Sequence, residues 1–247
     1  MATTTGNDYL ASALQAAGTS HFFHVPVIVP GAVVVMTRLG ITPVVAHTEK
    51  AAAYMADGYA RIAGRPGVCG SQSIGGTNLA AGLRDACMAG VPVIALTGGP
   101  SAATRYRFPY QEIDDMPIYA AVTKFNAAVP DASRLPDLLS TAFRAATTGT
   151  PGPVHLELGG LTGDSLNATC QAPVRIDPRF SNYPALRPQA SAEEIQRALE
   201  ALEAAERPIL VAGGGVRASG AAKEVRELAR RLSMPVATSL SGKGAIV

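Results

Sequence analysis

The stretch from His47 to Arg61, HTEKAAAYMADGYAR, places an acidic side chain, Glu49, just after the apolar run Ile41 to Ala46. It reads as the end of a buried strand feeding directly into a helix. A carboxylate at the carboxyl end of a strand is where open α/β proteins place chemistry. The first turn of a helix also favours a negative charge. Two roles therefore fit Glu49. One is a cap that only offsets the helix dipole. The other is a general acid/base that shares a proton with a nitrogen base, its pKa raised by an apolar setting. The residue types alone do not separate the two.

Other stretches carry chemically useful side chains. SQSIGGTN, residues 71–78, is a small-residue loop whose Ser71, Gly75, Gly76, Thr77 and Asn78 let backbone approach a ligand closely. As a plain strand-to-helix turn, the same loop offers Thr77 or Asn78 as a cap. FPYQEIDD, residues 108–115, carries Gln111 and Glu112, and Arg105 and Arg107 stand just before it. Those arginines suit an anionic substrate such as a 2-oxo acid, or simply a solvated loop face. GGGVRASG, residues 213–220, lacks the glycine spacing of a full dinucleotide fingerprint. Cys69, Cys87 and Cys170 show neither metal-ligand spacing nor a disulfide framework.

The elements that must position these residues alternate between strand and helix. Helices are expected over 7–17 (capped by Asn7 or Asp8), 31–39, 49–63 with Ala and Met on the inner faces, 79–88, and 133–147 capped by Ser133. Strands are expected over 21–25, 43–46, 68–70, 91–96 and 154–158, with a short helix and then a strand in 118–128. This alternation predicts an α/β fold, a parallel sheet flanked by helices. Residues 160–188 are rich in Gly, Pro, Asn, Asp and Ser and read as a linker. A second unit follows, with helices over 192–206 and 221–232, strands over 208–212 and 235–238, and a glycine turn at 213–215. Two strands are too few for a free-standing α/β domain, so the chain is expected to be a fragment or part of a split protein.

Composition narrows the function classes. The 247 residues are 47% hydrophobic with 25 Gly and 18 Pro, enough to bury a full core. The net charge of +2 comes from scattered basic residues, which favours neither nucleic acid nor a membrane surface as a partner. No run reaches membrane-spanning length, and the opening MATTTGNDYL has no signal-peptide pattern. A cytoplasmic location is the expectation.

The motifs HTEKAAAYMADGYAR, GVCGSQSIGGTNLAAGLRDACMAGVPVIALTG, FPYQEIDD, VTKF and GTPGPVHLEL occur in order. Together they resemble the thiamine-diphosphate enzymes of the acetolactate synthase and pyruvate-oxidase-like superfamily. The resemblance implies three parts: residues 1–160 as the N-terminal pyrimidine-binding domain, 161–189 as a linker and 190–247 as the truncated start of the central domain. It implies that Glu49 hydrogen-bonds N1′ of the aminopyrimidine and favours the imino tautomer, whose nitrogen takes the proton from C2. Physically, N1′ holds a proton only where a carboxylate stabilises the charge in a poorly hydrated site.

SQSIGGTN resembles the family's SGPGATN loop, with Ser71, Gly75, Gly76, Thr77 and Asn78 matching and Gln72, Ser73 and Ile74 departing. Gln111 and Glu112 match a Phe-Gln-Glu segment in which the glutamine positions substrate, with Tyr110 in place of the phenylalanine. Many members have Arg-His-Glu at the catalytic glutamate, whereas Thr48 here separates His47 from Glu49, so His47 is assigned no role. Lys124 is read as structural.

The resemblance further implies thiamine diphosphate and Mg²⁺ in the full-length protein. The family's Gly-Asp-Gly and paired-asparagine metal segment has no counterpart here, so no metal ligand is assigned in this chain. FAD or an adenine nucleotide in the central domain is a further option. A homodimer or homotetramer is implied, acting on a 2-oxo acid or aldehyde. The reaction is expected to be acetolactate synthase-like carboligation or decarboxylation. A decarboxylase, aldehyde lyase or oxidase, or a non-catalytic or split-enzyme subunit, stands as an alternative. This piece alone is expected to be inactive.

Overall fold

The computed structural model describes residues 4–246. These fall into two compact units, the first ending at Ala185 and the second beginning at Leu186. The first runs α1 (Gly6–Ala16), β1 (His21–His24), α2 (Pro30–Arg38), β2 (Thr42–Val45), α3 (Glu49–Ala63), β3 (Gly67–Ser71) and α4 (Gly76–Ala89). It continues with β4 (Val93–Gly99), α5 (Met116–Ala120), β5 (Phe125–Val129), α6 (Leu135–Thr147) and β6 (Val154–Gly159). The described strands of this unit form one sheet in the order β2-β1-β3-β4-β6-β5. Every neighbouring pair is parallel. The expected α/β class is the observed one.

Parallel strands covered on both faces read as near-continuous apolar runs, and β3, β4 and β6 are buried throughout. Successive side chains point to opposite faces. Phe22 therefore joins a cluster with Leu10, Leu14, Met36, Leu139 and Phe143. Its neighbour Phe23 joins Ala52, Ala56, Leu79, Leu83 and Tyr119 on the other face.

Helix ends show where sequence pattern and structure part. The cap of α1 is Thr5 rather than Asn7 or Asp8: its hydroxyl accepts from Asp8 N at 3.2 Å, and the Asp8 carboxylate accepts from Thr5 N at 2.9 Å. This reciprocal box satisfies two orphan donors and draws the helix start back one residue. Asp131, not Ser133, caps the turn before α6, accepting from Ser133 N at 2.9 Å. A three-residue 3₁₀ turn, Ala132–Arg134, intervenes. Residues 164–181 pack onto this first unit, with Leu166 and Cys170 in its core.

The second unit comprises α7 (Ala192–Glu203), β7 (Leu210–Ala212), α8 (Gly214–Ser219), α9 (Ala222–Arg231) and β8 (Val236–Thr238). β7 and β8 pair in parallel. The expected glycine turn is instead the short helix α8. Its segment closes at Gly220, whose φ of 72° is a left-handed cap that glycine adopts without strain.

Candidate functional site

The helix α3 begins at Glu49 for local reasons. Thr48 is extended and its hydroxyl accepts from Ala51 N at 3.2 Å, an N-cap. Gly64 ends the helix in the left-handed region, at φ 66°. Ala52, Ala53, Ala56 and Ala60 recur at helical spacing and are buried. Met55, expected inside, is among the exposed apolar side chains, because the alanines occupy the face toward α4. Those alanines permit a close helix pair. A Cβ at Gly82 of α4 would stand 2.7 Å from Ala53 Cβ and from the Lys50 carbonyl, so glycine is required there. This approach brings the first turns of α3 and α4 side by side.

Three of the expected site residues meet as a result. The Asn78 amide donates to Glu49 Oε2 at 3.3 Å. A Cβ at Gly75 would stand 2.6 Å from both Cγ and Oε1 of Glu49, so the bare Gly75 backbone forms a wall for the carboxylate. Glu49 is half-buried. It stands just past β2, while Gly75 follows β3, and β1 lies between those strands. The chain runs from β1 to β2 on one side and then to β3 on the other. This reversal is the switch point beside which open α/β sheets bind ligands.

The remaining candidates are placed differently. Gly76, Thr77 and Asn78 form the first turn of α4 rather than a loop. No side chain caps α4, since its N-cap is Gly75, so neither Thr77 nor Asn78 serves as the expected cap. Thr77 is exposed. Ser71 is the last residue of β3, fully buried, and its hydroxyl has no partner. His47, Arg105 and Arg107 are exposed. Lys124 donates from Nζ to the Ala145 and Thr148 carbonyls at 2.7 and 2.6 Å, tying down the end of α6.

Gln111 sits beyond the same turn. Its backbone carbonyl accepts from Ser73 Oγ at 3.1 Å, and its side-chain Oε1 is buried without a partner. It lines a cleft of about 290 Å³ together with Ser73, Gly99, Tyr110, Glu112 and Leu161. The 3₁₀ turn Ser73–Gly75 therefore touches Gln111 at one end and Glu49 at the other.

Beneath this turn lies a polar layer that the sequence pattern concealed. Thr97, His155, Glu157, Asp115 and Tyr119 are all buried. Burial pushes the Glu157 carboxyl up to about 7, with Arg105 pulling it partly back. Asp115 is raised too, by burial first and by Asp114 second. Burial lowers His155 to about 3, so its imidazole is neutral. A carboxyl raised from 4.5 to about 7 favours the fold when protonated. That contribution is whole below pH 4.5 and is lost as pH rises through about 7. Glu157→Gln, which mimics the neutral acid, is expected to remove on the order of 2 kcal/mol of stability loss across that window. Denaturant unfolding at pH 5 and pH 8 checks this, and equal pH slopes for variant and parent would refute it.

A hard cation needs a set of oxygen ligands. Among the described residues, no group of three or more His, Cys, Asp or Glu is arranged to hold a metal ion. The acceptor Glu49, the amide of Asn78 and the glycine wall instead suit the polar edge of a flat heterocycle. No described helix is long and apolar enough to cross a membrane.

Comparison with known proteins agrees with this picture. Residues 4–118 match the model of the thiamine pyrophosphate enzyme N-terminal TPP binding domain. Residues 195–247 match that of the central domain of the same enzymes. A probable acetolactate synthase large subunit of Methanocaldococcus jannaschii is 35% identical over 246 residues, covering 97% of this chain and 41% of that protein. The acetolactate synthase large subunit of Haemophilus influenzae is 31% identical, over 98% of this chain and 42% of its own length. A glyoxylate carboligase of Escherichia coli O157:H7 is 34% identical, over 84% and 34% respectively. The chain thus spans well under half the length of these relatives. The ordered motifs, the parallel sheet and the two matched domain models together place this chain in the thiamine pyrophosphate enzyme family, as its N-terminal domain and part of its central domain.

Proposed function

We propose that this chain supplies the pyrimidine-recognising part of a thiamine-diphosphate site in an enzyme acting on a 2-oxo acid, in the manner of an acetolactate synthase or related carboligase. The observation that carries the reading is the Glu49 carboxylate, set at the switch point against the bare Gly75 backbone and held by Asn78. Thiamine diphosphate, when bound, supplies an electron sink for making or breaking a bond next to a carbonyl.

The residues of this chain then do the following. Glu49 accepts a hydrogen bond from the ring nitrogen N1′ and stabilises positive charge there, which a half-buried carboxylate does better than a hydrated one. Asn78 orients that carboxylate through the 3.3 Å bond. Gly75, without a Cβ, leaves the carboxylate its place. Gln111 and Ser73 border the neighbouring cleft, and the Gln111 amide oxygen is left without a partner in the protein. Ser71, Gly76 and Thr77 shape the strand end and helix start rather than offering side chains to the ligand. Magnesium and the diphosphate are held by residues outside this chain, in an assembly of two or four subunits. That related proteins are acetolactate synthases and a glyoxylate carboligase supports the substrate class.

The test is an assay of the complete protein with pyruvate, glyoxylate and a panel of aldehydes, with and without thiamine diphosphate and Mg²⁺. Cofactor-dependent consumption of a 2-oxo acid is expected. Turnover indifferent to the cofactor would overturn the reading. Turnover by residues 1–247 alone would overturn the division of the site between this chain and the rest.

A further inference from the structure

One hydrogen bond ties the buried layer under the Ser73–Gly75 turn to the start of α4. The Tyr119 hydroxyl donates to the Gly76 carbonyl at 2.7 Å, inside the protein. Tyr119 is itself immobilised. Its ring stacks on His155 with centroids 3.5 Å apart and planes 9° from parallel. Both nitrogens of His155 are engaged, at 2.8 Å with Thr97 Oγ1 and 2.7 Å with Asn126 Oδ1.

The protons in this chain of contacts can be assigned. Asn126 Nδ2 donates to the Met116 carbonyl at 2.7 Å, so its Oδ1 is the acceptor and His155 Nδ1 carries the hydrogen. His155 Nε2 of this neutral ring then accepts from the Thr97 hydroxyl. The series runs without a break from β4, β5 and β6 to the start of α4. Asp115 presses on Gly76 from the same side, so that a Cβ at Gly76 would overlap its carboxylate. The dipeptide Gly75–Gly76 is thus held with Glu49 against Gly75 and Asp115 with Tyr119 against Gly76.

We infer that Tyr119, braced by His155, is a positioning residue that fixes the Gly75–Gly76 backbone and through it the orientation of the Glu49 carboxylate. The inference rests on the proposed role of Glu49. Two glycines in succession are conformationally loose, and the bond to Gly76 is the means by which the sheet restrains them. A side chain acting this way changes the geometry of Glu49 without touching cofactor or substrate.

The test uses Tyr119→Phe in the complete protein, with Tyr59→Phe as a control. Tyr59 loses a comparable hydroxyl contact, 2.7 Å to Ser20, away from the turn. Amide hydrogen exchange is followed across residues 73–79, and exchange of the thiamine C2 proton is followed in the loaded protein. Tyr119→Phe is expected to speed amide exchange in that segment by about tenfold and to slow C2 exchange by about fivefold to twentyfold. Tyr59→Phe should change neither. Unchanged amide exchange in Tyr119→Phe would overturn the restraint. Faster amide exchange with unchanged C2 exchange would overturn its link to Glu49. A parent protein that does not promote C2 exchange at all would instead sink the thiamine reading, while the amide measurement still decides whether Tyr119 restrains the turn.

Discussion

Exchange of the thiamine C2 proton is expected to slow by about 10²–10³-fold when Glu49 becomes glutamine, with the fold intact. Glutamine has the same length and keeps a hydrogen-bonding group, but it carries no charge to stabilise a protonated ring nitrogen. The structure makes the substitution discriminating. Glu49 is the first residue of α3, so part of its effect is the favourable meeting of a negative charge with a helix N-terminus. Losing that part costs about 0.5 kcal/mol of stability. Thr48, the actual cap, remains in place. A carboxylate that served only the helix dipole would therefore show the small stability loss and no change in proton exchange. Isotope exchange at C2 followed by NMR, together with a denaturant midpoint, separates the two cases. Parent-like exchange in Glu49→Gln would end the catalytic assignment.

The second large effect is expected at a glycine that offers no side chain to the site. Gly98→Ala should destabilise the protein by about 2–4 kcal/mol. A Cβ there would overlap the Leu161 carbonyl oxygen and stand 2.5 Å from the Leu161 carbonyl carbon. The obstacle is backbone, which cannot swing aside as a side-chain tip can. The same Leu161 carbonyl accepts from Ser73 N at 3.1 Å, and Gly99 N donates to the adjoining Gly160 carbonyl at 3.0 Å. Displacing Leu161 therefore disturbs the turn that links Gln111 to Glu49. Denaturant unfolding reads the stability loss. Crystallography of the variant, or amide exchange at residue 73, reads the disturbance of the turn. A loss below about 1 kcal/mol would mean that the β4 and β6 ends part easily, contrary to the packing seen.

Much of the fold was legible because local rules and tertiary packing agreed. The alternation of apolar runs with helical spacing indicated the parallel α/β sheet. The helix over 49–63 starts and stops at the expected residues, since Thr48 caps it and Gly64 terminates it. Where two capping residues competed, the pattern misled. Thr5 and Asp131 act as caps in place of their polar neighbours because the choice depends on which backbone donor each hydroxyl or carboxylate reaches. Thr77 and Asn78 looked like caps, but α4 begins before them.

The polar layer was harder to see. In VHLELG, His155 and Glu157 alternate with leucines, and that period-two pattern ordinarily marks a strand with one wet face. Here both faces are covered, so the alternating polar residues are enclosed and must find partners with one another or shift their ionisation. Burial depends on what packs over the strand, which no pattern within the strand records.

The sequence by itself determined the strand–helix rhythm, the family to which its motifs belong, and the placing of an acidic residue at a helix start. Those properties depend on residues close together in the chain. Only the tertiary structure decided that Asn78 and Gly75 meet Glu49, that Gln111 joins them through Ser73, and that Tyr119 holds the turn from beneath. These contacts bridge 26 to 43 positions along the chain. They form because alanines and Gly82 let α3 and α4 approach closely over a sheet whose strand order reverses at β1.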